Sequence, residues 1–344
     1  MSFINHYGKG LLLLLLAAFP VTGCFAQADH VPLTISPTLG FQEILQQAIL
    51  HAPEVQEGPV RQQQAQDYVA AGRSLIAGRP NLSVNYLDDR VLDNTGMQEL
   101  EYGVQVPLWR PGEKRSASLH GERYQTQFAL WENYLTLTLA GRVRDVLANI
   151  QEASVILDLE RQATASALEL VNVTTNLFNA GAVARLDLMQ TESLLLEQRK
   201  REMDAEAALV DAERDYSTLT GLMARPGTAH TEDLVDQEHI DSKHPLLQYL
   251  QSEIALADSA ISQAELTAKG NPQLTLGSRR QRGDQFQPWN DSIGVSLTIP
   301  LGGNSFVASR TSGARREKVD AEVVYSTTQR ELEMALHEVE HGLF

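Results

Sequence analysis

The sequence predicts a mainly α-helical chain with β-strands, assembled from two copies of one large unit. Three observations carry this. Pro53 and Pro80 are 27 residues apart, and Pro245 and Pro272 repeat that spacing 192 residues further on. The stretch Gly103-Val104-Gln105-Val106-Pro107-Leu108 returns as Gly294-Val295-Ser296-Leu297-Thr298-Ile299-Pro300-Leu301, with the Pro-Leu pair offset by 193. From Glu113 onward, helical periodicity runs far beyond the length of an ordinary globular helix. A repeat this long marks the duplication of a whole supersecondary unit.

Composition agrees with long helices packed side by side. Aromatic residues make up 6% of the 344, too few to fill several globular cores with rings. A net charge of −16 opposes binding to nucleic acid or to anionic lipid surfaces. The cluster Arg315-Arg316-Glu317-Lys318 therefore reads as a solvated helix turn.

The N-terminus is a targeting segment. Lys9 closes a short polar region and Leu11 to Ala18 is an unbroken apolar run of secretory length. Two processing sites compete. Cleavage after Ala26-Gln27-Ala28 would remove residues 1–28, whereas the lipobox-like Val21-Thr22-Gly23-Cys24 would remove 1–23 and leave Cys24 for acylation. Cys24 is the single cysteine, so no intramolecular disulfide can form. No later segment has the ~18 uninterrupted apolar residues of a membrane helix.

The first unit, 41–222, opens with a helix expected over Phe41 to Ile76, interrupted near Pro53 and ended by Gly78-Arg79-Pro80. Leu82, Val84 and Tyr86 alternate with polar residues, as do Leu100, Tyr102, Val104 and Val106. Period two predicts two strands, each with one apolar and one wet face. Leu139, Val143, Val146, Ile150, Ala153, Leu157, Glu160, Thr164, Ala167, Val171, Thr174 and Phe178 then step by three and four, a heptad seam on a helix of about 100 Å. Asn179-Ala180-Gly181 turns the chain, and a return helix from Ala184 to Leu222 carries two stripes. One runs through Leu188, Leu195, Ala205 and Leu209, the other through Leu186, Met189, Leu196 and Met203. Two stripes call for neighbours on two sides.

An acidic connector, 223–243, leads to the second unit, 244–344. It repeats the helix (Pro245 to Lys269), two strands around Leu274–Leu276 and Ile293–Ile299 with a loop from Arg279 to Asp291, and a long helix after Gly302-Gly303. The repeat period would end a complete second unit near residue 415, about 70 residues past Phe344, so this unit is expected to stop before its hairpin turn.

Strands of about ten residues have the length of tilted strands crossing an outer membrane. Four per chain cannot close a barrel, and open edges cannot sit in lipid. Several chains would have to share one barrel, continued by the helices as a tube.

These residues resemble the TolC-like outer membrane efflux proteins. The likeness rests on the duplicated unit, on the strand ends Val106-Pro107-Leu108 and Ile299-Pro300-Leu301-Gly302-Gly303, and on Leu219-Thr220-Gly221. It rests above all on the tip Leu177-Phe178-Asn179-Ala180-Gly181-Ala182-Val183-Ala184-Arg185-Leu186-Asp187-Leu188-Met189-Gln190, which is similar to the family's aromatic-x-x-Gly-x-x-x-x-Leu-Asp-Leu-x-Gln. The wording of the tip is nearest to the heavy-metal cation-efflux branch. The resemblance implies a homotrimer with a shared twelve-stranded barrel in outer-membrane lipid. Its periplasmic helical tunnel would dock on an adaptor (membrane fusion) protein and an inner-membrane transporter. Pro107, Pro300, Gly302 and Gly303 would be the barrel strand ends, and Gly181, Arg185, Leu186 and Asp187 the tip that meets the adaptor. The expected activity is passive transport without a cofactor; the net charge opposes nucleic acid, and the nine scattered histidines suggest no metal site.

Other readings have specific residues behind them. The duct of a type I protein secretion system would share the same architecture. A periplasmic helical scaffold anchored through Cys24 would leave the apolar strand faces unexplained. His337-Glu338-Val339-Glu340-His341 matches H-E-x-x-H, two imidazoles one turn apart with a candidate base. The repeat aligns that segment with the ordinary helix Arg144 to Ala148, and only three residues follow it, so an enzyme is not expected. Tyr86, Tyr102, Trp109 and Trp289 near strand ends suit an interfacial girdle or plain packing. Arg185 and Asp187 suit a gate, an adaptor contact or solvated helix charges.

Overall fold

A computed structural model describes residues 32–91, 94–228, 230–232 and 239–342. The segment expected to act in targeting, with Cys24, lies outside them. In chain order the elements are β1 (Thr34–Ser36), α1 (Phe41–His51), a 3-10 turn (Pro53–Gln56), α2 (Glu57–Arg73), β2 (Asn81–Asp88), β3 (Gln98–Pro107), α3 (Glu113–Asn179) and α4 (Arg185–Thr220). There follow β4 (Ala224–Pro226), α5 (Pro245–Ala268), β5 (Gln273–Arg282), β6 (Asn290–Thr298) and α6 (Asn304–Gly342).

The first helix is interrupted at Pro53 as expected, into two helices, but the second ends at Arg73 rather than Ile76. Pro53 has no N–H to donate and forces Ala52 into extended conformation (ψ 124°), so α1 stops there. Chain direction recovers through the 3-10 turn. Where α2 crosses α3, backbones meet at Gly72 and Gly121. A Cβ at Gly72 would lie 2.7 Å from the backbone of Ser118, and one at Gly121 2.8 Å from the backbone nitrogen of Val69. Only glycine permits so close a crossing.

α3 has 67 residues, about 100 Å at 1.5 Å per residue. Leu139, Val143, Ile150, Ala153, Leu157, Ala167 and Thr174 of the heptad seam are buried and the other seam positions half-buried. α4 returns against it with Leu195, Gln198, Ala205 and Tyr216 buried. The other stripe of α4 is open: Leu186, Met189, Leu196 and Met203 are between 56% and 69% exposed.

The main core gathers where α1, α3 and α4 meet, around Leu33, Ile44, Leu45, Ala48, Leu139, Val143, Ile150 and Tyr216. Tyr216 is fully buried and donates its hydroxyl to the carbonyl of Ala224 at 2.9 Å. Burial pushes its phenol up to about 12. That bond fastens β4, which pairs in parallel with β1. Part of the segment expected as a connector, 223–243, is thus strand. The guanidinium of Arg225 meets the buried carboxylate of Glu213 at 3.3 Å, and Leu33 N–H also donates to that carboxylate.

The second sheet is antiparallel in the order β2-β3-β5-β6. Its central pair, β3 with β5, joins the hairpin of one copy to that of the other. The loop expected from Arg279 to Asp291 is shorter, 283–289, because the ladder continues through Arg279–Arg282 beyond the last apolar position.

Candidate functional site

Register sorts the sheet into two chemically different faces. Leu82, Val104, Leu276 and Val295 share one row, and Val84, Tyr102, Ser278 and Ile293 the next. All point the same way because side chains alternate along each strand. This face is bare: Val84 is 62% exposed, Val295 70% and Ile293 89%. The opposite face carries Asn81, Asn85, Gln105, Thr275, Ser292 and Ser296. On it Arg279 lies 3.1 Å from the carboxylate of Glu99 and 3.6 Å from that of Glu101. Ser83, Gly103, Gly277 and Gly294 form one row of it, where a side chain on Gly277 would meet the carbonyl of Tyr102 at 2.9 Å.

The far end of the sheet is fixed by short contacts. In the β2–β3 loop Asp89 accepts hydrogen bonds from the N–H and hydroxyl of Thr95 and from the N–H of Gly96. The Thr95 hydroxyl, foremost, holds its carboxyl below the usual range. The guanidinium groups of Arg280 and Arg282 lie 5.2 and 4.9 Å from the centre of the Trp289 ring. Of the four aromatic residues considered for a girdle, Tyr86 and Trp289 lie toward this end and Tyr102 in mid-sheet. Trp109 is elsewhere, its indole N–H bonded to the carbonyl of Ser74 at 3.0 Å.

At the near end the strands pass into helices. Pro107 is the last, buried residue of β3, Pro300 follows β6, and Gly302 and Gly303 with φ of 77° and 96° turn the chain into α6. Arg110 holds this junction. Its guanidinium donates to the carbonyls of Gly270, Lys269 and Pro300, the last two at 2.8 and 2.9 Å. Its own N–H is capped by Glu113 at 2.9 Å, and the same carboxylate accepts from the amide of Asn271 at 2.7 Å. The sequence reading missed Arg110, since nothing in its neighbourhood is periodic. It also missed the Arg279–Glu99–Glu101 group, although all three occupy polar positions of alternating strands.

Gly181, Arg185, Leu186 and Asp187 come together in one turn at the other end of α3. Gly181 has φ of 76°, and Ala182 N–H bonds back to Leu177 at 2.9 Å. Asp187 caps α4 by accepting from Ala184 N–H at 2.9 Å, where its charge also suits the positive helix end. Leu186 is 64% exposed. The two groups of candidate residues thus mark opposite ends of a helix about 100 Å long.

His337 and His341 lie on α6 with rings edge to face at 4.4 Å. Among the described residues, no group of three or more histidine, cysteine or carboxylate side chains could hold a metal. A hollow of about 610 Å³ beside α3 is lined by Arg144, Leu147, Val155, Ile156, His230 and Glu232. Within it Arg144 and His230 lie 2.7 and 3.0 Å from Glu232, and Glu152 also lines it. It offers no nucleophile and base.

The chain thus combines an open sheet, one face bare and apolar and the other polar, with a helical hairpin about 100 Å long. The model of the outer membrane efflux protein family matches residues 44–222. The chain belongs to that family. Solved structures with a similar fold include the outer membrane protein VceC of Vibrio cholerae, 13% identical, covering 88% of this chain and 77% of that one with a TM-score of 0.64. The CmeC outer membrane channel of Campylobacter jejuni is 16% identical, with 88% and 70% covered and a TM-score of 0.63. The open MtrE outer membrane channel of Neisseria gonorrhoeae is 13% identical, with 85% and 70% covered and a TM-score of 0.56. No curated protein matches by sequence. Among the described residues no helix is long and apolar enough to cross a membrane.

Proposed function

We propose that the chain is one protomer of a homotrimeric outer-membrane efflux channel. It would be a passive conduit receiving substrates from a periplasmic adaptor and an inner-membrane transporter. The observation behind this reading is the open sheet with a bare apolar face. Unpaired edges are untenable in lipid, where every backbone group needs a partner. Three copies would supply twelve strands and close them into one barrel. The apolar face would meet lipid, the polar face would line the lumen, and Pro107, Pro300, Gly302 and Gly303 would mark the periplasmic rim. The open stripe of α4 would receive a neighbouring helix of the tunnel. Gly181, Arg185, Leu186 and Asp187 would meet the adaptor, and Cys24, if acylated, would add a lipid anchor. Residues 41–222 and 244–344 would act as the two repeats, linked through 223–243.

Planar-bilayer conductance tests the reading, with protein extracted from the outer membrane in detergent and its assembled mass recorded on the same sample. Discrete conductance steps from a trimer are expected. A monomer without conductance would overturn it.

A further inference from the structure

We infer that Arg280, Trp289 and Arg282 form a binding site for the phosphate of a membrane lipid headgroup, at the outer rim of the sheet's apolar face. The inference rests on that face meeting lipid. Arg280 and Arg282 are both on it, since Arg280 pairs with Leu100, and Arg282 with Gln98 one row further out. From Val106 to Gln98, β3 advances about 27 Å along its length, or about 20 Å along the membrane normal at a tilt of about 35–45°. Apolar side chains dominate the inner rows (Leu82, Val104, Leu276 and Val295, then Val84, Tyr102 and Ile293 beside Ser278), and they give way at the row of Tyr86, Leu100, Arg280 and Asp291. Two cations are thus set where a leaflet changes from acyl chains to headgroups, beside a tryptophan, a residue suited to that boundary.

The site has one unmatched cation. Arg280 is partly neutralised by Asp291 at 3.6 Å. Arg282 faces Trp289 and, among the described residues, has no carboxylate partner; its Nε is buried without a hydrogen-bond acceptor. The hollow of about 290 Å³ at this end is lined by Gln98 and Arg282 but also by Glu99, Gln281 and Asn290 of the opposite face, and neither Arg280 nor Trp289 lines it, so it is not the proposed site. Arg279 already holds Glu99, leaving the Arg282 charge for an external anion. Arginine pairs with phosphate through two parallel N–H donors. With the whole chain at −16 the attraction is local, within a Debye length of about 8 Å.

The full chain would be reconstituted in phosphatidylcholine nanodiscs containing either dioleoyl phosphatidic acid or dioleoylglycerol, the same lipid without phosphate. Lipid retained per protein after release into detergent would be counted by native mass spectrometry. Retention of phosphatidic acid over dioleoylglycerol is expected, falling about fivefold in Arg282→Gln and about 25-fold in Arg280→Gln/Arg282→Gln, at about 1 kcal/mol per arginine near a charged leaflet. Arg282→Lys should keep part of the preference, as a charge without the fork. Equal retention of both lipids, or retention unchanged in the double variant, overturns the site. Bilayer conductance of the same samples separates the causes. Conducting protein without lipid preference sinks this inference alone, and protein that neither conducts nor inserts sinks the barrel reading and the site with it.

Discussion

The Nδ1 of His120 on α3 lies 2.7 Å from the hydroxyl oxygen of Ser259 on α5, a side chain-to-side chain bond between the two halves of the molecule. The Ser259 hydroxyl donates to the carbonyl of Leu256 at 2.6 Å, so it accepts from His120 and fixes the imidazole as the neutral Nδ1–H form. Tyr68 from α2 and Tyr124 from α3 stand edge-on to the ring at 5.2 and 5.1 Å. Among the described residues no carboxylate forms a hydrogen bond or ion pair with it; burial foremost, then Tyr68, and least Glu317 of α6, push the Tyr124 phenol up.

Burial holds the His120 pKa below 6.5. The unfolded chain therefore binds more protons in the window just under that value, and stability must rise with pH there. His120 contributes fully above about pH 6.5 and its contribution is lost as pH falls toward the folded pKa. Thermal unfolding from pH 7.5 to 5 should show a falling Tm in the native chain and a shallower fall in His120→Gln. Parallel curves would show that this imidazole is not the group responsible.

At the α2–α3 crossing, Gly121→Val should cost more than the ~1–3 kcal/mol of ordinary overpacking, because the new side chain meets backbone rather than a movable side chain. A Tm several degrees lower is expected, with Gly141→Val as a control, since a Cβ there has nothing within 4 Å.

The open stripe of α4 yields a test of assembly that spares the protomer. Leu196→Asp/Met203→Asp places two charges on positions 65% and 69% exposed, so helix content should be unchanged. If the native chain forms the proposed trimer, the double variant should be monomeric in light scattering at the same concentration. A trimer of undiminished stability would remove this stripe from the interface.

Arg279→Gln leaves Glu99 and Glu101 unpaired on the polar face. If that face lines the lumen, three copies lose three positive charges. The reversal potential under a salt gradient should then shift toward cation preference. Identical reversal potentials would place Arg279 outside the conduction path.

What the sequence disclosed follows from periodicity. The seam from Leu139 to Phe178 is buried or half-buried at every step because a heptad repeat is a statement about one helix face. The second stripe of α4 was equally legible, yet a single chain leaves it bare. Signals that lack a period were lost. β1 and β4 are three residues each, and their pairing depends on chain brought together by the α1–α3–α4 core. Arg279 to Arg282 read as loop because alternation of apolar residues had stopped, although backbone pairing had not. The tip residues were legible as a motif and the Arg110 junction was not, since its acceptors are carbonyls, which every residue has.

Arg110 also breaks the symmetry of the duplication. With Pro107 aligned to Pro300, its counterpart in the second copy is Gly303, which has no side chain to reach anything. In a ring of three chains the six strand hairpins would meet at two kinds of joint. Three would be riveted by a guanidinium spanning three carbonyls, and three would lie between chains without that rivet. Such a ring is threefold rather than sixfold in its mechanics, and any dilation would start at the unriveted seams.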